Sequence, residues 1–114
     1  MDWRIEYYTD KRGNEPVRSF IDAQSIDAQV AIIHDIDLLR ELALDLRYPY
    51  VFKIGTTGIR ELRTRHGSDY YRIFYFASKG RKFVLLHAFL KKTRKTPKKE
   101  VMIAIGRLND YKQR

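Results

Sequence analysis

At Pro49 the spacing of apolar residues changes period, and no other feature constrains the fold of this chain as strongly. Before it, Ile26, Val30, Ile33, Ile36, Leu39, Leu42 and Leu46 recur every three or four residues, the repeat of one face of an α-helix. After it come four short segments rich in β-branched and aromatic residues, Val51 to Ile54, Ile59 to Thr64, Tyr70 to Ala77 and Phe83 to Phe89. The breaks between them, Gly55-Thr56-Thr57-Gly58, Arg65-His66-Gly67-Ser68-Asp69 and Ser78-Lys79-Gly80-Arg81, are turn sequences. Connections this short join only neighbouring antiparallel strands, so the segment predicts a meander of three hairpins. The residue before a proline avoids helical geometry, so the long helix is expected to stop at Pro49.

The flanks complete the order. Trp3, Ile5 and Tyr7 alternate with charged residues from Asp2 to Tyr8, which predicts a half-buried strand. Pro16 suits the first turn of a short helix carrying Val17, Phe20 and Ile21, with Asn14 as a candidate cap. Ser25 is a second candidate cap, and Asp27 lies where the positive end of the long helix favours it. Thr96 and Pro97 open a final helix as cap and first residue, followed by Val101, Ala104, Ile105 and Leu108. The expectation is a single α+β domain over residues 1–114, ordered β-α-α-β-β-β-β-α. It has an N-terminal helical hairpin and a C-terminal helix packed on one face of a mostly antiparallel sheet.

Composition removes several function classes. The 114 residues include no cysteine, which excludes disulfide scaffolds, thiolate zinc sites and cysteine nucleophiles. No apolar run approaches the ~18 residues of a membrane span, and the N-terminus has no basic flank leading into an apolar stretch. A soluble, cytoplasmic protein with no membrane association is expected. There is no phosphate-binding glycine loop and no H-E-x-x-H, and His34, His66 and His87 lack ligand spacing, so neither metal nor cofactor is expected.

Charge is more informative. The net charge is +9, but residues 1–50 hold six Lys+Arg against ten Asp+Glu, whereas residues 51–114 hold 17 against four. A polycationic half is the footprint expected of a protein that meets phosphate backbones, although a basic surface matched to an acidic protein has the same composition. Side chains alternate between the faces of a sheet. If Phe52, Ile54, Leu62, Tyr71, Ile73, Val84, Leu86 and Ala88 lie beneath the helices, then Lys53, Glu61, Arg63, Arg72, Phe74, His87 and Phe89 share the open face. Cations interleaved with rings suit single-stranded RNA, in which phosphates pair with cations and bases stack on rings. The strands from Tyr70 and from Phe83 are apolar on both parities, so Phe74 and Phe89 fit the core equally well. The densest charge run, Lys91, Lys92, Arg94, Lys95, Lys98 and Lys99, follows the last strand.

Three stretches together resemble a known family: Gly58-Ile59-Arg60-Glu61-Leu62-Arg63, Tyr70-Tyr71-Arg72-Ile73-Phe74-Tyr75, and Leu85-Leu86-His87-Ala88-Phe89-Leu90-Lys91-Lys92-Thr93-Arg94-Lys95-Thr96-Pro97. In motif and order they are similar to the HigB-like, phage-derived branch of the RelE/ParE toxin superfamily. The resemblance implies a RelE-like fold and ribosome-dependent cleavage of mRNA, neutralised by a cognate antitoxin of the helix-turn-helix DNA-binding type. Operator DNA would then be met only through the antitoxin, and mRNA and ribosomal RNA in the ribosomal A site.

RNA can be cut by its own 2′-hydroxyl, so a protein need only align the attack, stabilise the phosphorane and assist proton transfer. Carried over position by position, the resemblance makes Arg72 the phosphorane-stabilising arginine, Arg63 its neighbour at the phosphate, and Lys91 and Lys92 the basic end of the last strand. A lysine crowded by like charges favours its neutral form and can act as base or acid. Lys53, Arg65, His66, Phe74, His87, Phe89, Arg94, Lys95 and Lys98 are the expected RNA contacts. Several RelE-like toxins place a tyrosine or histidine near the end of the last strand or the C-terminus. Here lysine and threonine stand there, and Phe89, His66 and Tyr111 are the alternatives. The ParE branch shares the fold and inhibits DNA gyrase without cleavage, and a non-catalytic relic that binds antitoxin or nucleic acid is a third reading.

Overall fold

A computed structural model of the chain describes residues 2–91 and 95–114. In chain order the elements are β1 (Arg4–Tyr7), α1 (Pro16–Asp22), α2 (Ile26–Leu42), a 3-10 turn (Ala43–Asp45), β2 (Val51–Lys53), β3 (Arg60–His66), β4 (Asp69–Ser78), β5 (Lys82–Lys91) and α3 (Lys98–Lys112). The expected α+β order is the observed one. Strands β2 to β5 form the antiparallel meander, and β1 adds to its far edge in parallel with β5, giving the order β1-β5-β4-β3-β2.

The helices cover both faces of this sheet, which corrects the one-face expectation. Val17 and Ile21 of α1 and Ala28, Ile32, Ile36 and Leu39 of α2 pack on Leu62, Tyr71, Ile73, Tyr75, Phe83 and Leu85. On the opposite side Ala104 and Leu108 of α3 pack on Ile59, Phe74, Phe76, Val84, Leu86 and Phe89. The physical reason is in β4 and β5 themselves. Strands that are apolar on both parities lose stabilisation unless both faces are removed from water.

A β-bulge explains why simple alternation missorts β5. Phe74 pairs with His87, but its neighbour Tyr75 pairs with Leu85, leaving Leu86 as the extra residue. Parity therefore flips, so Val84 and Leu86 lie on the α3 side while Ala88 stays with α1 and α2. Ile54 also packs on the α3 side, and Phe52, opposite Glu61, shares that side. Of the eight residues expected on one face beneath the helices, Leu62, Tyr71, Ile73 and Ala88 lie under α1 and α2.

Helix α2 departs from its expected stripe. Ile26 is 72% exposed, and Val30, Ile33 and Leu42 are also exposed, whereas the row Ala28, Ile32, Ile36 and Leu39 is buried. Two apolar rows run along this helix, and the one containing small Ala28 faces the core. The helix ends at Leu42, short of Pro49, because Ala43 takes a φ of +51°. Leu46 still reaches the core.

Ser25 caps α2 by accepting the Ala28 N–H at 3.2 Å. Asn14 does not cap α1; its backbone N–H donates to Asp10 Oδ1 at 2.9 Å and closes the preceding turn. Pro97 is the cap residue of α3 and Lys98 its first helical residue, one position later than expected. Among the described residues no helix is long and apolar enough to cross a membrane.

Candidate functional site

Register brings the family-type residues together at one end of the sheet. Arg63 on β3 lies directly opposite Arg72 on β4, Arg65 opposite Tyr70, and Tyr70 opposite Lys91 at the end of β5. These five residues share the face that carries α3, since side chains two apart on a strand project alike. Facing arginines repel across a strand pair. What offsets the repulsion is Glu61, two residues before Arg63 on the same face and fully buried. Arg63 Nε donates to Glu61 Oε2, and Arg72 Nη1 lies 3.7 Å from the same oxygen. The Thr96 hydroxyl donates to Glu61 Oε1 at 3.3 Å.

The two arginines differ in access. Arg63 stacks its guanidinium 3.6 Å above the Phe52 ring and keeps its side chain 25% exposed, while Arg72 is only 4% exposed. Burial pulls the Arg72 pKa down, with Glu61 opposing that shift and Arg63 adding to it. Lys91 is half-buried beside Arg72. Loss of hydration first, and the Arg72 charge second, lower its pKa below the ordinary lysine value. Arg65 is exposed, donates through Nε to the Gly67 carbonyl at 3.2 Å, and lies 5.8 Å from the centre of the Tyr70 ring.

The aromatic part of the expected site falls elsewhere. Phe74 is fully buried and Phe89 nearly so, both under α3, so neither ring is open to a base; this corrects their placement on an open face. His87 is also beneath α3. Its Nε2 lies 2.8 Å from Glu100 Oε1 and its Nδ1 3.0 Å from Arg107 Nη1. A guanidinium only donates, so Nδ1 accepts and the ring proton sits on Nε2, shared with Glu100. Arg107 Nη1 also donates at 2.9 Å to the Leu86 carbonyl, the extra residue of the bulge. Burial lowers the His87 pKa, Glu100 opposes this, and Arg107 reinforces it.

Two more expected contacts leave this face. Lys53 pairs with Arg60 on the opposite side of the sheet, where both line a cleft beneath Ala43 and Leu44, and His66 follows Arg65 onto that side by alternation. Lys95 and Lys98 are exposed and flank Thr96 and Pro97, whose bond to Glu61 carries this stretch past the cluster. Lys92 and Arg94 lie outside the described residues.

Sequence reasoning passed over two members. Alternation puts Glu61 on this face but does not reveal its burial between cations. Tyr70, 39% exposed among Arg65, Arg72 and Lys91, is the open ring that Phe74 and Phe89 do not supply. Its parity with Arg72 was the available signal.

The site is thus a compact row of cations around one carboxylate and one exposed phenol ring. Such a row can bind phosphate groups, hold a base by stacking, and place an amine of lowered pKa beside them. The family model described as Phage derived protein Gp49-like (DUF891) matches residues 19–109, a span that holds every residue of this cluster. No curated protein matches the chain.

Proposed function

The chain belongs to the phage-derived Gp49-like family, within the RelE/HigB-like toxins, and from that premise we propose that it is a toxin that cleaves mRNA on the ribosome. The observation that carries the reading is the row of Arg63, Arg65, Arg72 and Lys91 around exposed Tyr70 on one end of the sheet. In the reaction the 2′-oxygen attacks the adjacent phosphorus and the bond from phosphorus to the 5′-oxygen breaks. A cyclic phosphate and a 5′-hydroxyl result. One proton leaves the 2′-hydroxyl and one reaches the departing oxygen.

The exposures divide the work. Arg63 and Lys91 meet the phosphate, and Arg72 behind them adds its field from a site with little water, where charge acts most strongly on a developing dianion. Lys91, its pKa lowered, moves the proton. Tyr70 stacks on a base next to the cleaved bond. Arg65, Lys95 and Lys98 give the extended basic surface that ribosomal RNA would meet. A cognate antitoxin would neutralise this surface with acidic segments and carry the complex to operator DNA.

The test is expression under tight control, with 5′ ends mapped on translated mRNA for the wild-type chain and for Arg63→Ala combined with Lys91→Ala. The expected result is new cuts inside reading frames, present only during translation and absent from the folded variant. Growth arrest with intact mRNA would move the assignment to a gyrase inhibitor of the ParE type, and no arrest to a non-catalytic binder.

A further inference from the structure

The carboxylate of Glu61 is an odd tenant of a cationic face. A buried carboxylate costs several kcal/mol in lost hydration, and a face meant only to attract phosphate would do better without it. Yet Glu61 is completely buried, accepts from Arg63 Nε and from the Thr96 hydroxyl, and sits 3.7 Å from Arg72 Nη1. Its two oxygens therefore touch three groups from three separate stretches: β3, β4 and the lead into α3.

The geometry is that of a brace. Arg63 and Arg72 are opposite in register, so without an anion between them their guanidinium groups would swing apart, each losing a fixed direction. Nε of Arg63 is tied to Glu61 and its plane is stacked on Phe52, and neither contact uses the two Nη atoms as donors. A guanidinium anchored through Nε presents its remaining donors at a fixed angle, the preorganisation that favours a transition state over a ground state.

We propose that Glu61 is a positioning residue: it holds Arg63 and Arg72 as one preassembled anion-binding pair whose target is the phosphate that gains charge during RNA cleavage. The identity of the anion rests on the nuclease reading; the bracing does not.

The proposal separates rate from affinity. Glu61→Gln keeps size and shape but removes a negative charge from a cationic site. Ground-state attraction for a polyanion therefore holds or rises, while alignment is lost. In single-turnover cleavage of ribosome-bound mRNA, the maximal rate is expected to fall at least about 10-fold, with the half-saturating ribosome concentration unchanged or lower. Glu61→Asp, which restores the charge, should recover part of the rate. An unchanged rate would overturn the proposal, as would a loss of affinity in step with rate, or a rate loss matched by the unfolded fraction in thermal melts.

A second measurement uses the wild-type protein alone and so stands even where the variants fail to fold. Side-chain nitrogen NMR is expected to show the Arg63 Nε–H exchanging at least about 10-fold more slowly than that of exposed Arg12, since a bonded, shielded proton is protected. Equal exchange would overturn the bracing. If the wild-type chain cuts no translated mRNA, the nuclease reading falls while the exchange rates still decide whether Glu61 braces the pair.

Discussion

Acidifying a solution of this protein below about pH 6.5, the ordinary histidine value, should destabilise it through His87. In the folded chain Nδ1 accepts from Arg107 and Nε2 donates to Glu100, so an added proton must go to Nδ1, where it breaks the Arg107 bond and sets cation against cation. Burial is the larger influence, and the net effect is a folded pKa below that of the unfolded chain. The sign follows. Above the unfolded value neither state holds the proton and there is no dependence; below it the unfolded chain takes up a proton that the folded one refuses. Stability therefore drops as pH falls through that window and levels off once the folded form titrates. A histidine that stayed neutral when folded would lose about 1 kcal/mol between about pH 6.5 and about 5.5, an upper bound for this site. For a chain of this size that is a fall in Tm of roughly 4 °C. Urea or thermal unfolding across the window, for wild type and for His87→Gln, isolates the contribution because other groups cancel in the difference. Equal slopes for the two proteins, or a wild type that gains stability on acidification, would refute the assignment of a neutral His87 held under α3.

Phe74→Ala should cost about 3–5 kcal/mol in urea unfolding, since the ring is fully buried between β4 and α3. Tyr70→Ala, by contrast, should cost under about 1 kcal/mol in the same assay, while weakening single-stranded RNA binding by about 1–3 kcal/mol of lost stacking in a fluorescence titration. Arg107→Met keeps the packing of α3 but strands the Leu86 carbonyl and His87 Nδ1, a loss of about 2–4 kcal/mol measurable by thermal unfolding. Ser25→Ala removes the cap of α2 and should lower stability by about 1 kcal/mol by the same measurement.

The element order was legible because local signals agreed: the period change near Pro49, turn residues between strands, and caps such as Ser25. What alternation missed traces to tertiary causes. The extra residue Leu86 has no mark in the sequence, yet it changes parity between the two halves of β5, so an alternation that places Ala88 correctly misplaces Val84 and Leu86. Ile26 and Val30 match a helical stripe as well as Ala28 and Ile32 do, and only contact with the sheet chooses between the rows. In the site, Arg63, Arg72 and Lys91 were found by motif and then brought together by register. Phe74, Phe89 and His87 were drawn to the same face for sound reasons of parity, but α3 covers that part of it. The two-sided apolarity of β4 and β5 already asked for a second layer.

That second layer also gives the charge asymmetry a direction in space. The acidic half of the chain includes α1 and α2 and lies over one face of the sheet, with Asp27, Asp35, Asp37 and Glu41 on α2 alone. The basic half forms β2 to β5 and α3, and four of its cations, Arg63, Arg65, Arg72 and Lys91, gather at the end of the other face that α3 leaves open. A polyanion approaching this molecule is therefore repelled by one side and drawn to the other, which orients it before contact. On arrival, Arg63, Arg65 and Lys91 are the groups it meets, and α3 closes the inner sheet to it from Phe74 onward. The helix that hides the expected stacking rings thus leaves the strand ends as the open part of that face, where Glu61 lies beside Arg63 and Arg72 and Tyr70 is the exposed ring.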